Sequence, residues 1–310
     1  MLARLVVDAW IGLAVLAVLV GIWLVRIGES TILVWVVMSG LHLVLLPAWG
    51  ALAVGVIARR WTLVAAASVI VLVQIGLTWQ MLPWRGAPEG LAPEFTIGSL
   101  NVYAGNADVD AMAAQVMADP PDVLVLQEFT PDALEALERA GVDEVYPHRI
   151  VEPDAGTVGV GVFATQPLEA ADVGIEDVFV VDLTLPDGDT LRLFDVHAFP
   201  PGGAESGSWR ATLRGLDAAL DRAEEPWVAI GDYNATFDHR AYRDLLGDGR
   251  TDAHLATGRG LARTWPADMA VPPLFLIDHA VLSPDVTAVG TRERTVAGSD
   301  HRMIEVDIAR

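Results

Sequence analysis

Three apolar runs fill the first 85 residues and limit what this chain can fold into. Val6–Val25 carries one acid, Asp8. Thr31–Ile57 is interrupted only by His42 and Pro47, and Trp61–Leu82 has Gln74 and Gln80 as its amide members. Each is long enough to cross a hydrocarbon core of roughly 30 Å. Trp10, Trp23, Trp35, Trp61, Trp79 and Trp84 lie mostly towards the run ends, where an aromatic belt places them. A cleaved signal peptide would account for the first run but not for the other two. Three transmembrane helices are therefore expected over residues 1–85. His42, Pro47 and Gln74 read as packing or kink features rather than functional groups. Arg4 and Arg59-Arg60 fall on one side of such a bundle, Arg26 and Arg85 on the other. With the α-amino group, that bias sets the N-terminus in the cytoplasm. An odd number of spans then puts the remainder outside, as part of a multi-pass cell-membrane protein.

Charge divides the chain at the same place. The 85 N-terminal residues hold five arginines against Asp8 and Glu29, a net of +3, which leaves about −24 for the rest of a chain at −21. So acidic a domain is a poor partner for duplex nucleic acid, where phosphate neutralisation supplies most of the non-specific affinity. A phosphate held in a metal-lined pocket stays compatible. Every basic residue is arginine and there is no cysteine, which excludes disulfides and thiolate zinc sites. Residues 86–93 belong to a Pro/Gly-rich stretch, Pro83–Pro93, that reads as an extended linker. From residue 94 to 310 the texture changes to short β runs alternating with amphipathic helices.

Within that domain the strand ends carry the chemistry. Trp227-Val228-Ala229-Ile230 reads as a short buried strand. It breaks at Gly231 and delivers Asp232 and Asn234, two apart and so on one face of extended chain. A carboxylate beside a carboxamide can deprotonate and orient one water; an Asx turn closing a strand is the plainer alternative. Phe95–Tyr103 delivers Asn101, and Asp122–Glu128 is an apolar strand ending in Glu128. Leu191–His197 presents His197, Leu274–Leu282 is broken by Asp278-His279, and the turn Gly298-Ser299-Asp300-His301 precedes a closing strand. Each has a plain explanation alone, as a cap, a surface charge or a hydrogen-bonded core histidine. Their shared position at the ends of apolar strands is what points to a site.

Leu-Asn-Val, Leu-Gln-Glu, Asp-Val-His, Gly-Asp-Tyr-Asn, Ile-Asp-His and Ser-Asp-His-Arg, in this order, resemble the endonuclease/exonuclease/phosphatase superfamily over about residues 94–310. The leading apolar runs are similar to a bacterial membrane subgroup associated with glycopeptide resistance, thought to act on lipid-linked phosphates outside the membrane. The resemblance implies an α/β fold, a four-layer α/β/β/α sandwich preceded by the three transmembrane helices. It implies magnesium, with manganese as the alternative, on Glu128 as main ligand with Asn101 beside it and Asp300 within reach. It implies Asp232 as the base for the attacking water and Asn234 as the residue holding that water or a phosphate oxygen. His301, polarised by Asp300, would face the phosphoryl group, His197 would contact a second oxygen, and Asp278 would support a histidine or the metal. Independently of family, phosphoester hydrolysis needs this division of labour: a Lewis acid, a water-activating carboxylate and donors for the equatorial oxygens.

Two departures bear on the site. Tyr103 stands where many nucleases of the family carry an acid, and Leu276 where an arginine often precedes Ile-Asp. Arg210 and Arg214, on a predicted amphipathic helix over Trp209–Ala223, are candidate replacements for that arginine or an ordinary solvated face. The expected function is a membrane-anchored, divalent-metal-dependent phosphoesterase acting on a phosphate ester or pyrophosphate, with a lipid-linked substrate and membrane lipid as partners. A surface-anchored nuclease is disfavoured by the acidic balance. A non-catalytic binding domain is disfavoured by retention of the whole candidate set.

Overall fold

The computed structural model describes residues 2–27, 40–84, 86, 88, 90–201, 206–247, 249–270 and 272–310. The N-terminal region is helical: α1 (Leu2–Ile27), α2 (Leu41–Val44), α3 (Pro47–Ile57) and α4 (Trp61–Thr78), the last continued by a 3-10 turn to Met81. Among the described residues one helix, Trp61–Met81, with 21 residues and a mean hydropathy of 2.0, is long and apolar enough to cross a membrane. Of the three expected spans, that helix is the one candidate among the described residues. In the first run the apolar described stretch is the shorter Trp10–Leu24. Of the second run, residues 31–39 lie outside the described residues, and the rest divides before Pro47. Pro47 brings no N–H to the preceding turn and starts α3 instead. Gln74 is buried on α4 and accepts a hydrogen bond from Trp49 Nε1 at 2.8 Å, a packing role that fits its reading from sequence. The side chains of Asp8 and His42, Arg85 of the linker side, and Gly202-Gly203 lie outside the described residues.

The rest is built on two six-stranded sheets. In chain order the elements are β1 (Phe95–Asn101), α5 (Val109–Ala118), β2 (Val123–Gln127), α6 (Pro131–Arg139), α7 (Val142–Val145), β3 (His148–Glu152) and β4 (Val160–Ala164). There follow β5 (Leu168–Ala171), β6 (Val178–Thr184), β7 (Thr190–His197), α8 (Ser206–Leu220), β8 (Trp227–Asp232), α9 (Arg240–Leu246), β9 (Thr251–Asp252) and α10 (Ala253–Ala256). The chain closes with β10 (Asp278–Leu282), β11 (Thr287–Thr295) and β12 (Arg302–Ala309). One sheet runs β11-β12-β1-β2-β4-β3 and the other β5-β6-β7-β8-β10-β9. Among the described residues only β1 with β2 and β7 with β8 pair in parallel.

Alternation of side chains along each strand produces the layers. Val123 and Val125 of β2 meet Leu193, Val228 and Ile230 in the core between the sheets. Leu124 and Leu126 point the other way, into a core shared with Met112 and Val116 of α5 and Ala133 and Leu137 of α6. Phe194, Val196, Ala229 and Val281 likewise face Trp209, Leu213 and Leu216 of α8 and Tyr242 and Leu245 of α9. The result is the α/β/β/α sandwich. Strands covered on both faces read as continuous apolar runs, which is how β2 and β8 look in the sequence.

The predicted strand over Leu274–Leu282 is shorter in the structure. β10 pairs with β8 in the register Asp278↔Asp232, and β8 ends at Asp232; the Ile277 carbonyl still accepts from the Tyr233 amide at 3.0 Å, and the ladder goes no further. Phe275 forms instead an isolated bridge with Trp265.

Candidate active site

The parallel pairs bring four C-terminal strand ends to one edge. Asn101 stands opposite Gln127, and His197 and Asp278 both stand opposite Asp232. Parity decides the face. Ile97, Leu193, Ile230 and Ala280 all point between the sheets, so Asn101, His197, Asp232 and Asp278, an even number of residues away, do so too. His279, one residue on, points to the opposite face, where its ring lies 4.3 Å from that of Tyr242. Sequence order had grouped it with Asp278; the pleat separates them.

Unusual backbone turns the remaining groups inward. Glu128, just past β2, has φ +50°, and Asn234 has φ +48°. Such angles cost energy for a residue with a side chain and tend to collect at functional sites. Gly231 has φ +143°, and a Cβ there would lie 2.1 Å from the Val196 carbonyl oxygen. Only glycine lets β8 pass β7 that closely while presenting Asp232. The loop after Asp232 is pinned by Trp209 Nε1, which donates to the Tyr233 carbonyl at 3.0 Å.

The polar groups form one connected network. Asn101 Nδ2 donates to Glu128 Oε1 at 3.1 Å and to Asp232 Oδ2 at 3.4 Å. Its oxygen accepts from the Tyr103 amide at 3.0 Å. Glu128 Oε2 accepts from the Ala104 amide at 2.8 Å, and His197 Nε2 lies 3.6 Å from Glu128 Oε1. Asp232 accepts from the Asn234 amide at 2.8 Å and from Asn234 Nδ2 at 3.2 Å. His301 Nδ1 sits 3.0 Å from Asp278 Oδ2, and its Nε2 lies 3.7 Å from Asp232 Oδ2. Asp300 lies at this edge too: Oδ1 is 3.9 Å from His301 Nε2, and Oδ2 accepts from Trp265 Nε1 at 3.0 Å. The partner that orients His301 is therefore Asp278, not Asp300. Asp300 is two residues before β12 with its carboxylate held by Trp265, whereas Asp278 lies on β10 against the imidazole.

Charge is distributed unevenly across this network. Burial pushes the Glu128 carboxyl up, but hydrogen bonds from His197, the Ala104 amide and Asn101 outweigh it and hold it at about 2. Burial raises Asp232 to about 6, and neighbouring Asp278 adds to the shift against His301 and His197. Burial alone would neutralise His301, but the carboxylates of Asp278, Asp232 and Asp300 raise it to about 10. His197 is likewise raised by Glu128 and Asp232 against its burial. At neutral pH the edge thus holds an ionised Glu128, an imidazolium at His301, and between them a carboxylate poised to take a proton.

A hard divalent cation fits the Glu128 end: a carboxylate kept ionised, with an amide beside it. Asp232, Asp278 and His301 also present atoms within 4.8 Å of one another. There the imidazolium already supplies the positive charge, and Nδ1 with Asp278 is already paired, so a proton satisfies that group. A second set, Asp252, His254 and His279, is closer to a structural relay. His279 uses Nδ1 on Asp252 at 2.8 Å and Nε2 on the Ala235 carbonyl at 2.9 Å, and Tyr242 and the Leu255 amide bind the same Asp252 carboxylate.

Several supporting groups were not singled out from sequence. Ser299 Oγ donates to the Asn101 carbonyl at 2.7 Å and accepts from the His301 amide at 2.9 Å, tying the last turn to β1. Its place in Ser-Asp-His was the available signal. Gln127 Nε2 donates to buried Asp195 at 2.6 Å across the sheets. Nothing in the spacing of two residues 68 apart foretells that contact. Arg210 and Arg214 line a groove between α8 and α9 rather than the edge that holds Asp232.

Comparison with known proteins agrees with this architecture. The sequence model of the Endonuclease/Exonuclease/phosphatase family matches residues 98–301. The chain belongs to that family. It is accordingly a hydrolase of phosphoester bonds, and enzymes of the family use divalent metal ions. No curated protein sequence matches it. Solved structures share the fold at low identity. An endonuclease/exonuclease/phosphatase from Beutenbergia cavernae aligns with TM-score 0.54 at 18% identity, over 70% of this chain and 72% of that one. The 3′ phosphatase NExo from Neisseria, bound to product DNA hairpin, gives 0.54 at 17%, over 70% and 100%. A mannosyl-6-phosphatase from Bacteroides thetaiotaomicron gives 0.52 at 15%, over 70% and 100%.

Proposed function

We propose that this chain is a membrane-anchored, magnesium-dependent phosphohydrolase acting on a lipid-linked phosphate or pyrophosphate at the outer face of the cell membrane. In this reading residues 1–85 are the membrane region, 86–93 the linker and 94–310 the catalytic domain. It places the chain in the membrane-anchored subgroup of its family. The observation that carries the reading is the connected network from Glu128 through Asn101 and Asp232 to His301, next to a helical region that includes one helix able to cross a membrane. The domain's acidity favours a compact phosphate over a polyanionic strand.

The chain's residues would divide the reaction as follows. Glu128, with Asn101 beside it, would hold the ion, which supplies Lewis-acid polarisation and charge neutralisation at the phosphoryl oxygens. Asp300, already engaged by Trp265, is left out of the ligand set. Asp232 accepts the proton of the attacking water as its oxygen bonds to phosphorus, and Asn234 holds that water beside the carboxylate. His301, fixed by Asp278, donates from Nε2 to the oxygen that leaves as its bond to phosphorus breaks. His197 donates to a non-bridging oxygen.

The test is hydrolysis of a polyprenyl pyrophosphate, single-stranded DNA and a generic phosphodiester by the full chain in detergent, each with and without EDTA. EDTA-sensitive turnover fastest on the lipid pyrophosphate is expected. Preference for DNA, or inactivity on all three, overturns the proposal. Glu128→Gln should shift the magnesium titration to higher concentration; a superimposable titration would remove Glu128 from the ligand set.

A further inference from the structure

The relay behind β10 reaches the catalytic edge by an indirect route. His279 points to the face of β10 away from the catalytic groups and is buried there with Asp252 and Tyr242. Asp252 is held at both oxygens: Oδ1 accepts from the Leu255 amide at 2.9 Å and Oδ2 from the Tyr242 hydroxyl. His279 Nδ1 lies 2.8 Å from the same Oδ2. A carboxylate fixed at both ends fixes the imidazole against it, and the Tyr242 ring, 4.3 Å away, limits its rotation. His254 is turned elsewhere, with Nε2 3.3 Å from Glu293. His279 is left with Nε2, which lies 2.9 Å from the Ala235 carbonyl. A carbonyl oxygen can only accept, so Nε2 carries the proton.

Ala235 directly follows Asn234, whose φ of +48° persists only where the surroundings over-determine it. The clamps stand on both sides. Before Asn234, the Tyr233 amide donates to the Ile277 carbonyl at 3.0 Å, and the Tyr233 carbonyl accepts from Trp209 Nε1 at 3.0 Å. After it, the Ala235 carbonyl accepts from His279, and the Thr236 amide donates to His239 Nδ1 at 2.9 Å. Held this way, the Asn234 side chain sits with Nδ2 3.2 Å from Asp232 Oδ2 and 3.0 Å from the Ala198 carbonyl. Without the His279 clamp the backbone is free to relax from its positive φ, and the relaxation carries Nδ2 off Asp232.

We infer that His279 is a positioning residue for the hydrolysis: from behind β10 its Nε2 grips the Ala235 carbonyl and so holds Asn234 where that side chain meets the attacking water. This rests on the role given to Asn234 above. A route along β10 to Asp278, the preceding residue, predicts a different coupling, since the loss of His279 would then act through His301. The hydrogen bond from Nε2 runs to the Asn234 loop, whereas Asp278 is held independently by its place opposite Asp232 in the β8–β10 ladder. Asp252 acts one step further back, by fixing the ring.

The test is steady-state hydrolysis by the full chain in detergent, at saturating magnesium, on whichever of the three substrates above the wild type turns over fastest. His279→Asn places an amide where Nδ1 meets Asp252 but falls short of Ala235, whereas His279→Gln reaches Ala235 with its own Nε2. His279→Asn should lower kcat by roughly 10- to 100-fold, the cost of a displacement of about 1 Å, with KM and the magnesium titration unchanged. His279→Gln should restore most of that turnover. In an Asn234→Ala background His279→Asn should cost nothing further, and in an Asp278→Asn background it should cost its full amount. Thermal melting checks each variant. His279→Phe, which keeps a ring against Tyr242 and donates to nothing, replaces His279→Asn if the latter does not fold. Equal losses in the Asn and Gln variants, losses that add in the Asn234→Ala background, or a loss that vanishes only in the Asp278→Asn background each sink this inference alone. Wild-type turnover in Asn234→Ala, or a wild type that hydrolyses none of the three substrates, removes the role given to Asn234 and this one with it.

Discussion

Asp232 is the residue whose two duties conflict. Its carboxylate is raised to about 6 by burial and by Asp278, above the ordinary aspartate value near 3.9. A raised carboxyl destabilises the fold once the pH exceeds the unfolded value, because the folded state then holds a charge it disfavours. Asp232→Asn should consequently melt at a temperature equal to or above wild type at pH 7.5, while kcat falls by ~10³-fold or more. A matching loss of stability would mean the side chain serves the fold instead. Asp278 is the contrasting case. Its role is to hold His301 Nδ1, so Asp278→Asn should reduce kcat by roughly 10²–10⁴-fold with little change in KM. Wild-type turnover in that variant would return the orienting role to Asp300. The sequence carried the identities of both acids but not this choice. Asp300 is adjacent to His301 in the chain and Asp278 is 23 residues away, and only the packing of β12 beside the β8–β10 pair brings the distant one underneath.

At the scale of elements, legibility followed burial. β2 and β8, covered on both faces, stood out as apolar runs, and the ends of β1, β2, β7 and β8 were correctly read as the places where polar groups emerge. β3, β5 and β11 were not anticipated. They lie at or near sheet edges, and β11 carries Arg292, Glu293 and Arg294 in succession, a pattern that looks like loop until pairing with β12 is known. The second apolar run was read as one span with Pro47 as a kink feature; in its described part the helix divides before Pro47. Gly231 shows how narrowly one element can depend on one residue. With φ +143° and the Val196 carbonyl 2.1 Å from a would-be Cβ, Gly231→Ala must push β8 off β7. The expected loss is roughly 3 kcal/mol or more in chemical denaturation, with activity reduced even where the protein folds. A melting curve equal to wild type would show that the two strands can separate locally without cost.

At the scale of the whole molecule, the two sheets are joined away from the site by a polar clasp. α10 packs on β10 of one sheet and β11 of the other. Across that seam His254 Nε2 lies 3.3 Å from Glu293 Oε1, and Arg259 Nε donates to the same oxygen at 3.1 Å. Burial pushes the Glu293 carboxyl up, but His254 and Arg259 outweigh it and hold it at about 2. A carboxyl lowered by folding contributes stability that is complete above its unfolded value, near 4.3, and lost as the pH falls towards the folded one. Stability of the full chain should therefore drop between about pH 5 and pH 2, and Glu293→Gln should be less stable than wild type at pH 7 but change less over that window. The two curves should converge in acid. Parallel curves, with the variant weaker by the same amount at every pH, would mean that Glu293 contributes packing at the seam and that its charge does not hold the sheets together.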